Sequence, residues 1–150
     1  MLIRAANPAD LPPMQELAAE SPQAAHWSAS EWKQIFDFKV PRAALICEEN
    51  QAALGFLIAR TLGDDWELEN IVVAQQARRR GAARRLMQEL IDLSRAQRAA
   101  IHLDVRESNR AARALYQSCG FNETGRRKAY YSQPNEDAVL YRFSFSSPEK

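Results

Sequence analysis

A basic segment containing one glycine, residues 78–85, is the part of this sequence best suited to binding a phosphate group. It reads Arg-Arg-Arg-Gly-Ala-Ala-Arg-Arg and separates a β-branched run ending at Val73 from a strongly helical segment. The first N–H groups of a helix lack partners within the helix, and the helix dipole adds positive charge there. Gly81 removes a Cβ from this backbone, and arginine offers forked donors for phosphate oxygens. The pattern predicts an anion site, with a solvated basic turn or a nucleic-acid patch as the alternative.

The spacing of this segment differs from that of the two common nucleotide-binding loops. Gly81-Ala82-Ala83-Arg84 is neither G-x-G-x-x-G nor a loop that ends in G-K-S/T. The rest of the chain must therefore decide between the alternatives.

Length and composition favour one soluble domain over residues 1–150, with a frayed tail at 146–150. The net charge is +1, so the basic charge is local and a direct nucleic-acid partner is not expected. No apolar run approaches the roughly 18 residues of a membrane span, and the N-terminus lacks the apolar core of a signal peptide. The 2 cysteines and 2 histidines are scattered, which predicts neither a metal site nor a disulfide framework. A cytoplasmic location is the expectation.

The rest of the chain is predicted to form strands and helices that would position the basic segment. Asn7-Pro8 and the capping box Ser28–Glu31 each begin a helix, and another follows Gly81. Ser108 or Asn109 caps a fourth helix, which stops at Cys119-Gly120. Because one helix lies between Val73 and Ile101, the strands around it should be parallel. The strands are expected at 2–5, 43–48, 53–60, 66–73, 100–105, 121–129 and 138–145, which predicts an α/β (α+β) fold with helices on both faces of one mixed sheet.

The segment from Ile101 to Phe121 resembles the signature L-x-V-x-x-x-N-x-x-A-x-x-L-Y-x-x-x-G-F of the GCN5-related N-acetyltransferases (GNAT superfamily). The segment 78–83 likewise resembles the pyrophosphate loop Q/R-x-x-G-x-G/A of that superfamily. Within it, the chain is similar to the RimI type, the ribosomal-protein-alanine N-acetyltransferases. Further matching positions, in order, are His26-Trp27-Ser28, Asn70-Ile71-Val72-Val73, Arg127, Tyr130-Tyr131 and Glu136-Asp137-Ala138.

The resemblance implies a single-domain GNAT fold with a mostly antiparallel sheet of six to seven strands. In this fold a splayed pair of parallel strands binds acetyl-CoA, and no metal is required. Asn109 matches the asparagine that contacts coenzyme A, although a helix cap alone would also explain it. The implied cofactor contacts are Ile71, Val72, Val73, Arg78, Arg79, Arg80, Gly81, Ala82, Ala83, Arg84, Asn109 and Tyr116.

The implied chemistry requires a base, because a free α-amine has a pKa near 8 and is mostly protonated at neutral pH. Asp104 stands where RimI enzymes usually have a glutamate; being shorter, it would act through a water or not at all. Glu67 matches the strand glutamate that many GNAT enzymes use as the base. Strict alternation would put Glu67, Glu69 and Ile71 on one face of their strand, unless the strand bulges. Tyr116 matches the tyrosine that serves as the general acid.

The implied acceptor is the N-terminal α-amine of a protein, and an alanine-starting ribosomal protein is the leading expectation. Trp27, Glu69, Tyr130 and Tyr131 would bind it, and Glu67, Glu69 or Asp137 would attract a basic segment. Two alternatives stay open: an acetyltransferase for a lysine, an aminoglycoside or a polyamine, and a silent acyl-CoA-binding module. The sequence does not determine the oligomeric state.

Overall fold

The computed structural model describes residues 1–37 and 39–145, so the predicted frayed tail lies outside the described residues. These residues form one seven-stranded sheet with the strand order β1-β2-β3-β4-β5-β7-β6. The strands are β1 (Leu2–Ala5), β2 (Arg42–Glu49), β3 (Ala52–Leu62), β4 (Asp65–Val73), β5 (Ile101–Arg106), β6 (Asn122–Tyr131) and β7 (Glu136–Phe143). The α-helices are α1 (Leu11–Ala19), α2 (Ala29–Lys33), α3 (Ala82–Gln97) and α4 (Arg110–Ser118).

The predicted helix starts are present. The Ser28 side chain accepts from the backbone N–H of Glu31, whose carboxylate accepts from the Ser28 N–H, so the capping box forms as expected. Asn7 caps a short 3-10 turn (Pro8–Asp10) that leads into α1. Asn109, rather than Ser108, caps α4. These local signals therefore fix where the helices begin.

Helices cover both faces of the sheet, as predicted. On β3, successive side chains alternate between the faces. Phe56 contacts Trp32 of α2, with ring centroids 6.0 Å apart. Thr61, of opposite parity, pairs with Trp66, whose indole N–H donates to Gln97 of α3 at 2.9 Å. Thus α2 and α3 lie on opposite faces, with the apolar core filling the space on each side.

A β-bulge at Glu69 changes which residues of β4 share a face. Ile58 of β3 pairs with Asn70, but the next β3 residue, Ala59, pairs with Leu68, so Glu69 is the extra residue. Glu67 and Asn70 therefore lie on the same face. The strict alternation that joined Glu67 to Ile71 is wrong beyond Glu69, because one inserted residue reverses the parity of all that follow.

The only parallel pairing among the described strands is between β4 and β5, as the single intervening helix predicted. All the other neighbouring strands are antiparallel. No helix within residues 1–37 and 39–145 is long and apolar enough to cross a membrane.

Candidate functional site

The strands β4 and β5 separate after a short paired segment. Their register contains only Trp66 with Ile101 and Glu67 with His102. Beyond these pairs β4 continues to Val73 and β5 to Arg106. The last residues of the two strands are therefore free to offer backbone groups to a ligand between them.

A cavity of about 1110 Å³ lies at this opening. Asn109, Ala112 and Tyr116 line it from the α4 side, and the loop before α2 lines it from the opposite face of the sheet. The cavity therefore passes through the gap between the strands. Its remaining walls are the middle of β4, the end of β5 and the turn between β6 and β7. The lining residues of these three walls are Leu68, Glu69, Asn70, Ile71, Val105, Arg106, Ser108, Tyr130, Tyr131, Ser132, Gln133, Pro134 and Glu136.

The basic segment begins α3 in the way that an anion site requires. Gly81 is the N-cap residue with φ +84°, in the left-handed region that favours glycine, and no side chain caps the helix. A Cβ built on Gly81 would meet nothing within 4 Å, so the backbone there is open. The helix start therefore presents N–H groups and the positive end of the dipole to solvent.

The arginines of this segment are not equally available. Arg80 donates from Nη2 to both oxygens of Glu49 at 2.8 Å, and Arg84 donates to the Ser118 hydroxyl at 2.8 Å. Arg78 reaches the Val73 carbonyl at 3.4 Å, and Arg79 has φ +66°. The arginine cluster read from the sequence is thus partly engaged with partners distant in the chain.

Asp104 and Glu67, the two candidate bases, lie in different electrostatic settings. Burial is the main cause that raises the pKa of Asp104, and the charge of Glu67 raises it further. The Arg127 guanidinium and the Tyr130 hydroxyl act in the opposite direction. Glu67 is bound by Arg60, whose Nε lies 2.7 Å from its Oε1. Asp104 therefore has a raised pKa, whereas Glu67 is held in an ion pair with Arg60.

Tyr116 is buried beside the cavity, and its pKa is raised well above the ordinary value. Desolvation is the main cause, and the charges of Tyr131 and Asp104 add to it. The pKa of Tyr131 is raised for the same main reason, with Asp104 again contributing. Tyr116 and Tyr131 both line the cavity, and both phenols stay protonated at neutral pH.

Asn109 performs the capping role that the sequence allowed, because its Oδ1 accepts from the Ala112 N–H at 3.2 Å. It also lines the cavity. Next to it, the Ser108 N–H donates to Glu136 at 2.5 Å. Arg106 donates to the carbonyls of Ser132 and Pro134, and its guanidinium lies 4.6 Å from the centroid of the Tyr131 ring. The turn between β6 and β7 is thereby attached to the turn that carries Asn109.

The residues predicted to bind the acceptor are only partly brought together. Tyr130 and Tyr131 line the cavity and contact each other edge to face at 5.1 Å. Glu69 also lines it, but Arg42 binds its carboxylate at 2.9 Å. The Trp27 ring packs on that of Trp32, with centroids 5.0 Å apart, and Trp27 is not part of the cavity lining. Its neighbour His26 does line the cavity. Asp137, the other proposed attractor, accepts from the Ala129 N–H at 2.8 Å.

Comparison with known proteins identifies the family. Residues 11–121 match the family described as "Acetyltransferase (GNAT) family". The chain belongs to this family. It is 40% identical over 105 residues to the [ribosomal protein bS18]-alanine N-acetyltransferase of Salmonella typhimurium, covering 68% of this chain and 70% of that protein. It is 37% identical over 91 residues to the N-alpha-acetyltransferase RimI of Mycobacterium tuberculosis, covering 61% of this chain and 56% of that protein.

The fold of this acetyltransferase is also that of a solved relative. The crystal structure of the ribosomal-protein-S18-alanine N-acetyltransferase from Escherichia coli superposes with a TM-score of 0.83 at 29% identity. The match covers 99% of this chain and 96% of that one. The predicted superfamily, RimI resemblance and fold class are therefore confirmed.

The acetyltransferase has residues that fit an acyl-CoA. The diphosphate would meet the uncapped start of α3 at Gly81, and the extended pantetheine arm would meet the free edge of β4 beyond the paired segment. Within the described residues no group of three or more His, Cys, Asp or Glu side chains is arranged to hold a metal ion.

Sequence reasoning missed several residues of the cavity wall. Arg106, Glu136 and His26 were read only as parts of motifs, and Gln23, Ala24 and Ala25 were not singled out. Asn70 was likewise read only as the first position of the motif Asn70–Val73 and was given no role of its own. It is 6% exposed and lines the cavity.

Proposed function

We propose that this acetyltransferase transfers the acetyl group of acetyl-CoA to the N-terminal α-amine of a protein, with an alanine-starting ribosomal protein as its acceptor. The cavity through the splayed strands carries this proposal, because it allows two substrates to approach from opposite faces of the sheet. The relatives named for ribosomal-protein alanine acetylation supply the acceptor. Such an acceptor would place the enzyme in the cytoplasm, and we take residues 1–150 as one catalytic domain.

The donor would bind along the α3 and α4 side of the gap. The segment Ile71–Val73 would pair with the pantetheine arm, and the N–H groups that begin α3 would hold the diphosphate. Arg78, Arg79 and Arg84 would add charge, as would Arg80 once it leaves Glu49. Asn109 would contact the donor while it continues to cap α4. Bound acetyl-CoA supplies an activated acyl group on a thiol leaving group.

Asp104 would act as the general base. Its raised pKa brings it nearer to the pKa of about 8 of an α-amine, which makes proton transfer easier. Asp104 is absent from the cavity lining, although its chain neighbour Val105 is part of it. Because the Asp104 side chain is also short, we propose that a water carries the proton. Glu67 is assigned a supporting role, since its ion pair with Arg60 keeps its carboxylate occupied.

Tyr116 would act as the general acid for the departing thiolate. Tyr116 lines the cavity on the donor side and its phenol is protonated at neutral pH, so it has a proton to donate there. Tyr130 and Tyr131 would line the acceptor path on the opposite face, next to Glu69. Trp27 would act indirectly, by packing on Trp32 and so supporting the loop that carries His26. Asp104 would thus remove a proton from the amine, and Tyr116 would supply a proton to the thiolate.

A direct test incubates the protein with acetyl-CoA and a panel of acceptors, followed by mass spectrometry. The panel contains an alanine-starting basic peptide, the same peptide with a blocked N-terminus and an internal lysine, an aminoglycoside and a polyamine. We expect acetylation of the free α-amine only. Equal or faster acetylation of the blocked peptide would assign the enzyme to lysine side chains instead. Binding of acetyl-CoA without turnover of any acceptor would make the protein an acyl-CoA-binding module.

A further inference from the structure

Asn70 is the one described residue with a buried side-chain nitrogen or oxygen that has no hydrogen-bond partner within the structure: its Nδ2. Other buried polar side chains are satisfied: Asp10 binds Arg4, and the Ser94 hydroxyl donates to the Ile91 carbonyl at 3.0 Å. Leaving a buried donor unpaired costs free energy, so an amide at this position weakens the free protein. The cost would be recovered if a bound substrate accepted a hydrogen bond from this nitrogen.

The position of Asn70 points to a ligand in the cavity. It follows the bulge residue Glu69 and precedes Ile71, the first residue expected to pair with the donor. Its Oδ1 accepts from the Ala25 N–H at a long 3.4 Å, a weak contact between the amide and the loop on the acceptor side. Asn70 therefore stands where the two substrates would meet.

We propose that the Asn70 Nδ2 donates a hydrogen bond to the first main-chain carbonyl of the acceptor, and so selects N-terminal amines over side-chain amines. This inference rests on the proposed function. In an N-terminal residue the carbon bonded to the amine-bearing Cα is the carbonyl carbon, whereas the amine of a lysine or a polyamine has only methylene groups beside it. Only the first kind of acceptor presents its nitrogen to the thioester and an oxygen to Asn70 together.

The Nδ2 atom is shielded from solvent in this structure, so its use requires a small movement. The long bond to Ala25 is a weak restraint, and a shift of the loop or a rotation of the amide would expose the donor. The hydrogen bond from Nδ2 would then stabilise the complex with the acceptor and not the complex with the donor. Donor binding should not depend on it.

The test combines an enzyme variant with an acceptor variant. Wild type and Asn70→Leu are compared on an alanine-starting peptide and on the same peptide with its first amide replaced by an (E)-alkene, which removes the carbonyl but keeps the shape. We expect the kcat/KM of wild type to be about tenfold or more lower on the alkene peptide than on the normal peptide. The kcat/KM of Asn70→Leu should already be low on the normal peptide and should differ little between the two peptides. The dissociation constant for coenzyme A should be unchanged.

Two further variants separate this role from a structural one. Asn70→Asp keeps the acceptor oxygen but loses the donor, so it should behave like Asn70→Leu on both peptides. Ser94→Ala removes another buried polar group on α3 and should keep the full preference for the carbonyl. If Asn70→Leu retains the wild-type preference, the proposal is wrong while the proposed function stands. If wild type acetylates blocked lysine peptides and not free N-termini, both fail.

Discussion

The charge of Glu67 raises the pKa of Asp104 across the parallel strand pair, while Glu67 itself is paired with Arg60. Both carboxylates lie on the same face of the sheet, because Glu67 is in register with His102 and Asp104 follows two residues later. This arrangement distinguishes two carboxylates that the sequence left as rivals.

Removing the charge of Glu67 should therefore make Asp104 a weaker base. Glu67→Gln is expected to lower the pKa of Asp104, which is measurable by carboxyl ¹³C NMR titration. Because a base works only when deprotonated, activity falls as pH drops through its pKa, and this limb should move to lower pH in the variant. Asp104→Asn should lose about 10²-fold or more in kcat. A similar loss in Glu67→Gln, with nearly full activity in Asp104→Asn, would reverse the assignment.

Tyr116→Phe should lower kcat by about 10²-fold with little change in KM for acetyl-CoA, because only proton donation to the leaving thiolate is lost. Tyr141→Phe provides the control: it removes a hydroxyl that accepts from Arg113 and Gln117, behind the cavity. We expect that variant to lose stability and keep most of its kcat. Steady-state kinetics with both substrates varied would separate these effects, and an unimpaired Tyr116→Phe would exclude the acid role.

Gly81→Ala should weaken coenzyme A binding through backbone strain rather than through a clash. The residue has φ +84° with open space around it, and an alanine there costs about 1–2 kcal/mol. Gly63→Ala is a matched control, since Gly63 also has positive φ, +62°, and open space, but lies in the β3–β4 turn. Both variants should melt at lower temperature. Calorimetry with coenzyme A should show weaker binding only for Gly81→Ala.

Glu49→Gln should strengthen coenzyme A binding severalfold at low salt. In the free protein Glu49 holds Arg80 through both oxygens at 2.8 Å, so binding a diphosphate competes with this ion pair. Releasing Arg80 removes that competition and adds local positive charge. Glu89→Gln makes the same charge change at an exposed position of α3 and should leave the affinity unchanged. Weaker binding in Glu49→Gln would show that the pair supports the site instead.

Asp10→Asn should destabilise the protein at neutral pH. The Asp10 carboxylate accepts two bonds from Arg4 and one from the Asn7 N–H, all at 2.8 Å, and Arg4 is the main cause that lowers its pKa. A lowered pKa contributes stability above the unfolded-state value of about 3.9, and this contribution disappears as pH falls through the folded-state pKa. Thermal melts should show a loss of about 1–3 kcal/mol at pH 7 that shrinks in acid.

Much of the fold was accessible from short-range signals. The capping box at Ser28 and the cap at Asn109 involve residues three positions apart, so the local sequence specifies them. The single helix between Val73 and Ile101 likewise dictated parallel strands. The start of α3 at Gly81 was predictable in the same way, because the conformational preferences of glycine and of the small residues and arginines after it act locally.

Other features depended on residues brought together from far apart. The Glu69 bulge is a property of the register between β3 and β4, and it reversed the faces expected for Ile71. Likewise, the partner of Arg80 is Glu49, and the base ranking depends on the ion pair that holds Glu67. Periodicity carries no information on such partners, because strand register and side-chain pairing arise only when the whole sheet closes. The sequence by itself determined the elements, the family and the chemical groups, whereas the tertiary structure decided which of those groups are held in ion pairs and which, such as the amide of Asn70, lack a partner.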